Sequence, residues 1–400
     1  MTDYRAAVSR RADVTDYRVA VLGLGGIGSA AAFWASRRLG DDVLGVEQFE
    51  LGHIRGGSED HSRIIRLSYH TLAYVELAKA AYGAWEQVEV DSGEQLVLRT
   101  GGLDLAPAGA SIGLDDYRRS MIAASVPFEE LDAAEVMRRW PQWRLSDDVS
   151  ALYQERSGIA MASRANATHR RLARENGATL VDGAGVGAIR EVDGEVEIEV
   201  DDRIHRVGSL IVAAGAWTPT VLGRLGVDIP LEVTLEQVVY MEAADPVSFH
   251  PSRFPIWIWM DEPSLYGFPI FGEPAVKIAW DRCEILTDPE SRSFEPRDDV
   301  TEAVRGFAAR HLPQAVGPVR LAKTCLYTLT PDRDFLLDRV PGTANIFTVV
   351  GAGHAFKFAS LLGRILVDLA LDGVTTHDIS ALAADRPILQ EKDPVRTYMV

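Results

Sequence analysis

The feature that most constrains this chain is a short apolar run that breaks into glycines. Residues 18–23 read Arg-Val-Ala-Val-Leu-Gly, a β-branched stretch of the kind that forms a strand buried on both faces. Gly23-Leu24-Gly25-Gly26-Ile27-Gly28 follows and matches GxGxxG. An alanine-rich helix pattern then runs from about Ile27 to Leu39 and stops at Gly40. A second strand, Val43-Leu44-Gly45-Val46, ends in Glu47. In such a unit Gly23 allows the tight turn, Gly25 lets a pyrophosphate approach the backbone, and Gly28 lets helix pack on strand. The helix N-terminus offers free N–H groups to the pyrophosphate. Glu47 lies 19 residues beyond Gly28, where an acid can bond ribose hydroxyls. Strand, glycines, helix, strand and acid in this order predict a dinucleotide site. They do not separate NAD from FAD.

The grammar recurs late in the chain. Asn345–Val350 reads as a strand that meets Gly351-Ala352-Gly353-His354, with a helix pattern from Phe358 to Leu371. Ser209–Trp217 is a third apolar strand running into a small-residue turn at Ala213-Ala214-Gly215, after a β-meander over residues 188–213. Helices are expected over Leu72–Val88, with Leu72, Val75, Ala78, Tyr82 and Trp85 on one face, over Ala162–Asn176 and over 299–311. Residues 113–144 read as helical and then polar, 96–106 as strand-turn-strand around Gly101-Gly102, and Thr179–Val181 as a short strand. Residues 230–280, rich in β-branched and aromatic side chains, fit a separate, mostly antiparallel sheet. The expected fold is α/β, a Rossmann-like nucleotide-binding domain with a second, mostly antiparallel substrate domain. The first would be discontinuous (1–90, 150–222 and 325–400) and the second would take 91–149 and 223–324. NAD dehydrogenases more often keep the nucleotide fold in one block, so this layout favours FAD.

Composition removes other classes. With 47% hydrophobic and 25% charged residues, the 400-residue chain is neither disordered nor fibrous, and it has length for two or three domains. Lys and Arg number 41 against 58 Asp and Glu, a net charge of −17 that argues against nucleic acid or an anionic membrane as partner. No apolar run reaches 18 residues, so no spanning helix is expected. The first 17 residues, with Arg5, Arg10 and Arg11 and no apolar stretch, do not read as a signal peptide. Two cysteines, Cys283 and Cys325, exclude a disulfide framework or a four-cysteine zinc site and point to a reducing, cytoplasmic setting. The sequon at Asn166 then reads as chance, and no metal is expected.

Five further motifs, in order, are Ser62-Arg63-Ile64-Ile65-Arg66, Tyr266-Gly267-Phe268-Pro269, Val276-Lys277-Ile278, Cys325-Leu326-Tyr327-Thr328 with Thr330-Pro331-Asp332, and Gly353-His354-Ala355-Phe356-Lys357-Phe358. With the glycine motif they resemble the FAD-dependent amine and amino-acid oxidases of the D-amino-acid-oxidase superfamily, above all the monomeric sarcosine oxidase and N-methyltryptophan oxidase family. The likeness runs from about Arg18 to Pro387.

The resemblance implies roles. Cys325 matches the cysteine that carries the flavin covalently through an 8α-S-cysteinyl link; its thiolate needs a basic neighbourhood, for which Lys323 is the nearest candidate. Lys277 matches the lysine that activates oxygen, where a fixed ammonium stabilises an anion as charge develops; alternatively it snorkels from a sheet edge. Arg66 and Lys357 match the pair that holds the substrate carboxylate. Arg63 resembles the arginine near the flavin ring, Tyr266 and Tyr327 the pocket tyrosines, and His354 an active-site histidine that could equally cap its turn. Cofactor contacts are implied at Ser58, Val186, Gly215, Gly351, Gly353 and again Lys357, beside Gly23, Gly25, Gly28 and Glu47. Cys283 has no such context and reads as structural.

One position departs from the pattern. Sarcosine oxidases carry a histidine four residues after the oxygen-activating lysine, and here Asp281 stands there. The carboxylate could pair with a cationic amine, act as a base, or merely pair with Lys277 or Arg282. It resembles the nikkomycin-pathway oxidase that aromatises a cyclic imino acid. The loop before Arg63 is one residue shorter than in the family, so no role passes to His61. The expected activity is FAD-dependent oxidation of a secondary, N-methyl or cyclic amino acid, with O2 reduced to hydrogen peroxide by a monomer or small homo-oligomer. A dehydrogenase with another electron acceptor and a non-catalytic FAD-binding scaffold are the rivals. Lys277 argues against the first. The joint presence of Cys325, Arg66, Lys277 and Lys357 argues against the second.

Overall fold

In the computed structural model, which describes residues 15–392 and 394–396, the glycine motif sits where two sheets meet. Arg5, Arg10 and Arg11 lie outside the described residues. The first sheet is built on strand β1 (Thr15–Leu22), with parallel neighbours on both sides: strand β2 (Val43–Val46) and the strand Arg203–Val212. Ile346–Val350 adds parallel to the latter, pairing Leu210 with Ile346. Val19, Ala20, Val21, Leu210, Ile211 and Ile346 are fully buried. That is why these strands read as unbroken apolar runs and not as alternating ones. Their carboxyl ends (Gly23, Glu47, Ala213 and Gly351) converge on one edge, where open parallel sheets bind ligands.

Helix α1 (Gly26–Leu39) packs against the helices Ala359–Asp372 and Ala162–Glu175. Glycines make these crossings possible. A Cβ on Gly363 would stand 2.6 Å from the backbone nitrogen of Ala31, and one on Gly28 would overlap the Gly23 carbonyl.

The second sheet has nine strands. Its spine is Glu232–Met241, antiparallel to Val319–Leu329 (Glu236 opposite Cys325) and to Val276–Trp280 (Tyr240 opposite Lys277). Ile256–Trp259 lies parallel to Gly102–Ala106, the exception in an otherwise antiparallel array. A small third sheet places strand β3 (Arg63–Ile65) and Val97–Arg99 on either side of Gly158–Ala160.

Several local expectations change. Residues 96–106 are not a hairpin: Val97–Arg99 joins the three-stranded sheet and Gly102–Ala106 the nine-stranded one, with Gly101 at φ +72° turning the chain between them. The 113–144 segment splits into a helix Asp115–Ala123, a strand Glu129–Asp132 and a helix Ala133–Arg139, with Ser125 at φ +55° ending the first and Asp132 capping the second through Glu135 N–H at 2.8 Å. Helix α2 (Leu72–Ser92) runs four residues past the expected end to an αL glycine, Gly93, and Leu72 is exposed instead of facing the core. No helix among the described residues is long and apolar enough to cross a membrane, and no cluster of metal-binding side chains occurs among them.

Gly28→Ala would drive a methyl group into the Gly23 carbonyl. It is expected to cost about 1–3 kcal/mol of stability, as overpacking does, measured as a lowered urea midpoint at unchanged slope.

Candidate active site

Two joined cavities run along the meeting edge. One, of about 270 Å³, is lined by Gly23, Gly25, Glu47, Ser58, Val186, Gly215 and Gly351. The other, of about 220 Å³, is lined by Arg63, Arg66, Tyr266, Asp281, Tyr327, Arg333, His354 and Lys357. Ser58, Gly215 and Gly351 belong to both, so an elongated ligand can thread from one to the other. Gly28 stands behind the first cavity as a packing glycine, and Gly353, at φ +82°, brings its backbone against the Tyr327 ring.

The first cavity suits a dinucleotide. Helix α1 has no side-chain cap and no acid in its first turn, which leaves its positive end to an anion. Ser58 Oγ accepts from Gly26 N–H at 3.0 Å and would be 3.0 Å from a Cβ on Gly25, so the cradle is closed to any larger residue. Glu47 accepts from Leu24 N–H at 2.9 Å and lies 3.4 Å from His53. Burial alone would raise its carboxyl; the bonds from His53, Leu24 and Phe49 outweigh that and hold it below the usual range.

The second cavity gathers charge. Arg66, from strand-end position 66, pairs with Asp104 at 2.9 Å and lies 4.9 Å from the Tyr69 ring centre. Arg333 is held in a left-handed conformation, φ +58°, and donates to Asp281 at 2.9 Å. Burial would raise the Asp281 carboxyl, but Arg333 draws it below the usual range. The partner of Asp281 is thus Arg333 and not Lys277; Arg282 adds a smaller attraction while its guanidinium reaches Glu262 and Glu284. Lys357, in a 3-10 turn at the end of the glycine segment, is buried, and no ion pair forms at its ammonium among the described residues. Burial and the neighbouring Arg66 push it well below the usual lysine range.

Tyr266 and Tyr327 bring their hydroxyls to 3.5 Å, and burial raises both phenols, so they stay protonated. His354 lies 2.8 Å through Nε2 from the Arg333 carbonyl, and burial together with Lys357 and Arg333 keeps it neutral. Its ring thus anchors the Arg333 loop, as a capping histidine would.

Lys277 and Cys325 line neither large cavity. They sit just behind Arg63. Lys277 is 1% exposed in its apolar strand, ruling out a lysine snorkelling from a sheet edge, and its ammonium meets Asp60 at 2.5 Å and Ser62 O at 3.1 Å. Burial lowers its pKa to about 8 despite Asp60. Cys325 borders a small cavity shared with Asp60, Arg63, Lys323, Tyr266 and Tyr327. Burial raises its thiol, and the cation that chiefly opposes this is Arg63, not Lys323. Lys323 is held by Asp60 at 2.5 Å, so its role as the cysteine's basic neighbour is corrected. Cys283 donates its N–H to Glu236 at 2.7 Å and carries a thiol raised by burial, an inert structural cysteine. His61 turns outward to Glu273.

Asp60, Asp104 and Arg333 escaped the sequence reading. Asp104 left a trace, a lone acid in the apolar strand Gly102–Ala106, and Arg333 follows directly on the Thr330-Pro331-Asp332 motif.

Comparison with known proteins agrees with this geometry. The sequence profile described as "FAD dependent oxidoreductase" (DAO) matches residues 18–369. The chain is 35% identical to monomeric sarcosine oxidase of Streptomyces avermitilis over 91% of its length and 96% of the relative's. It is 29% identical to N-methyl-L-tryptophan oxidase of Salmonella typhimurium, over 92% and 99% of the two chains. The solved open form of NikD, described as an unusual amino acid oxidase essential for nikkomycin biosynthesis, superposes with a TM-score of 0.82 at 25% identity, covering 95% and 100% of the two chains. The chain therefore belongs to the DAO family of FAD-dependent oxidoreductases, and FAD is its cofactor. Within that family it is an oxidoreductase similar to the monomeric sarcosine oxidases and the N-methyltryptophan oxidases.

Removing one partner from the Asp281–Arg333 pair strands a charge in the cavity wall. Asp281→Asn and Arg333→Met are each expected to destabilise by a few kcal/mol. The double variant should lose less than the two together, as for groups in contact. Urea unfolding of all four proteins measures the coupling, and simple additivity would show that the pair is not energetically joined.

Proposed function

We propose that the enzyme oxidises an amino acid bearing a secondary or cyclic amine, and that O2 takes up the electrons to give hydrogen peroxide. The observation that carries the substrate class is the Lys357 side chain, buried with no ion pair among the described residues to hold its proton, in a cavity where Arg66 and Arg333 already have carboxylate partners. A substrate carboxylate would supply the missing counter-charge, with Arg66 as its second contact. The aromatic and aliphatic walls, Ile258, Met260, Tyr266, Phe268 and Tyr327, exclude water and take up the rest of the molecule. The relatives named for sarcosine and N-methyl-tryptophan support an N-substituted amine.

FAD, when bound, supplies the acceptor for the hydride leaving the α C–H. The amine N–H proton departs as the imine forms, and water hydrolyses that product. Lys357 and Arg66 fix the carboxylate end, so the α-carbon is oriented by its own charge. The protonated Tyr266 and Tyr327 hydroxyls donate hydrogen bonds within the cavity. Arg63, close to Gly57 and to the small cavity at Cys325, provides positive charge where the flavin ring would lie. Lys277 supplies the fixed ammonium for oxygen reduction. Cys325 would hold the flavin covalently through its sulfur, and Arg63 favours the thiolate that burial opposes. We assign the nucleotide-holding role to segments 1–90, 150–222 and 325–400 and the substrate role to the remainder.

Asp281 favours a second reading. A carboxylate facing the cavity can receive a cationic amine, and the likeness to NikD adds an imino-acid oxidase with a cyclic substrate to the panel.

Anaerobic flavin bleaching against N-methyl, cyclic and primary amino acids identifies the class. Bleaching by secondary amino acids, with peroxide formed on admitting O2, is expected; bleaching by none of them would overturn the reading. Lys357→Met should weaken the apparent Kd of the best substrate by about 2–5 kcal/mol, the size for one partner of a desolvated charge pair. Acid-precipitated wild-type protein should stay yellow and Cys325→Ser should release its colour; a colourless wild-type pellet would end the covalent assignment. Lys277→Met should slow reoxidation by O2 about 10²-fold, measured by stopped flow.

A further inference from the structure

Asp60 is a buried carboxylate that joins four side chains. It is 5% exposed and lies in the loop between β2 and β3. One oxygen meets Lys277 at 2.5 Å and Arg63 at 3.3 Å; the other meets Lys323 at 2.5 Å and the Tyr240 hydroxyl at 2.9 Å. Those groups come from four strands of two sheets: Arg63 from β3, Lys277 from Val276–Trp280, Tyr240 from Glu232–Met241 and Lys323 from Val319–Leu329. Three cations therefore share one anion, and of the three Arg63 also lines the substrate cavity while Lys277 and Lys323 do not.

We propose that Asp60 is a positioning residue for oxygen reduction: it fixes the Lys277 ammonium beside Arg63 and sets, in competition with Lys323, the pH range over which that ammonium keeps its proton. This rests on Lys277 serving oxygen reduction, as proposed above. The physical argument is a balance of charges. Lys277 is buried, which favours the neutral amine, while the faces of the Phe268 ring, 4.6 Å away, and the Tyr240 ring, 5.9 Å away, favour the ammonium. Asp60 favours the ammonium, whereas Arg63 and Lys323 oppose it. Cys325 also faces the cluster, from the strand of Lys323, with its thiol raised by burial. Glu273, in the turn before the Lys277 strand, is taken up by His61 and Arg320. The Lys277 value of about 8 makes the ammonium present below that pH and absent above it. Oxygen reactivity should accordingly fall as pH rises through this range.

Two substitutions pull in opposite directions. Asp60→Asn removes the anion and leaves three cations together, so the falling limb should move to lower pH. Lys323→Met removes a competing cation at a partly exposed position, so the limb should move to higher pH. Each shift should be about one pH unit or more, the effect of one close charge. Asp60→Glu should restore the wild-type limb in part.

The measurement is the stopped-flow rate of reoxidation by O2 against pH, using holoenzyme reduced with dithionite so that no amino-acid substrate enters. Opposite shifts for the Asn and Met variants support the inference. Limbs that stay at the wild-type pH, or that move the same way, overturn it, because a merely structural Asp60 would change stability and leave the profile in place. Should Asp60→Asn not fold, Lys323→Met and Asp60→Glu decide the matter between them. A wild-type enzyme that does not react with O2 at all would instead sink the oxidase reading and this inference with it. The substrate-bleaching panel, which involves no oxygen, separates that failure from an error about the amino acid.

Discussion

Arg63, Arg66, Lys277, Arg333 and Lys357 are crowded into one desolvated seam, and cations at such density need anions among them. Three aspartates meet that need. Asp60 serves Arg63 and Lys277, Asp104 serves Arg66, and Asp281 serves Arg333. Apart from Asp60–Arg63, three residues apart, each pairing ties together distant segments, so the electrostatics of the site and the docking of these segments are one problem. Lys357 is the exception: among the described residues no acid pairs with it, and the carboxylate site proposed above rests on that.

The topology explains why such a seam can exist. Parallel strands end together at Gly23, Glu47, Ala213 and Gly351, and glycine lets backbone stand where side chains would fill the crevice. The antiparallel sheet turns its long strands Glu232–Met241 and Val319–Leu329 toward that edge, and the paired residues Tyr240 and Lys277 reach Asp60 from it. Strand β3 carries Arg63 between the two sheets. The Lys277–Asp60 cluster and the cavity that holds Lys357 thus meet at Arg63.

What was legible in the sequence was local. The glycine motif, its strands and its helix occupy thirty consecutive residues, and each signal depends only on neighbours along the chain. The motifs around Cys325, Lys277 and Lys357 were readable because resemblance preserves short strings. Ion-pair partners were not. Asp60 and Lys277 are 217 positions apart, Asp281 and Arg333 are 52 apart, and Arg66 and Asp104 are 38 apart. No periodicity relates such residues; only the fold does. The same holds for Gly102–Ala106, whose pairing with Ile256–Trp259 removed it from the hairpin its neighbours implied. Asp281 shows the consequence most clearly. As a lone departure from a motif it admitted an amine, a base or a nearby lysine; with Arg333 in place it becomes one half of a pair in the cavity wall.

The overall charge of −17 sets the remaining constraint. At physiological ionic strength an exposed charge is screened beyond about 8 Å, so an amino acid approaching the surface senses little of the acidic exterior until it is close. Inside the cavity screening is weaker; Arg63, Arg66, Arg282 and Arg333 each have a carboxylate partner, and Lys357, which has none among the described residues, tips the balance positive. A carboxylate gains there what it does not gain at the surface. A free amine without a carboxylate has Asp281, shared with Arg333, as its one attraction and gains nothing at Lys357. A preference for an amino acid over a simple amine would therefore follow from one lysine without an acid partner in a cavity whose other cations are paired, without any recognition of the side chain.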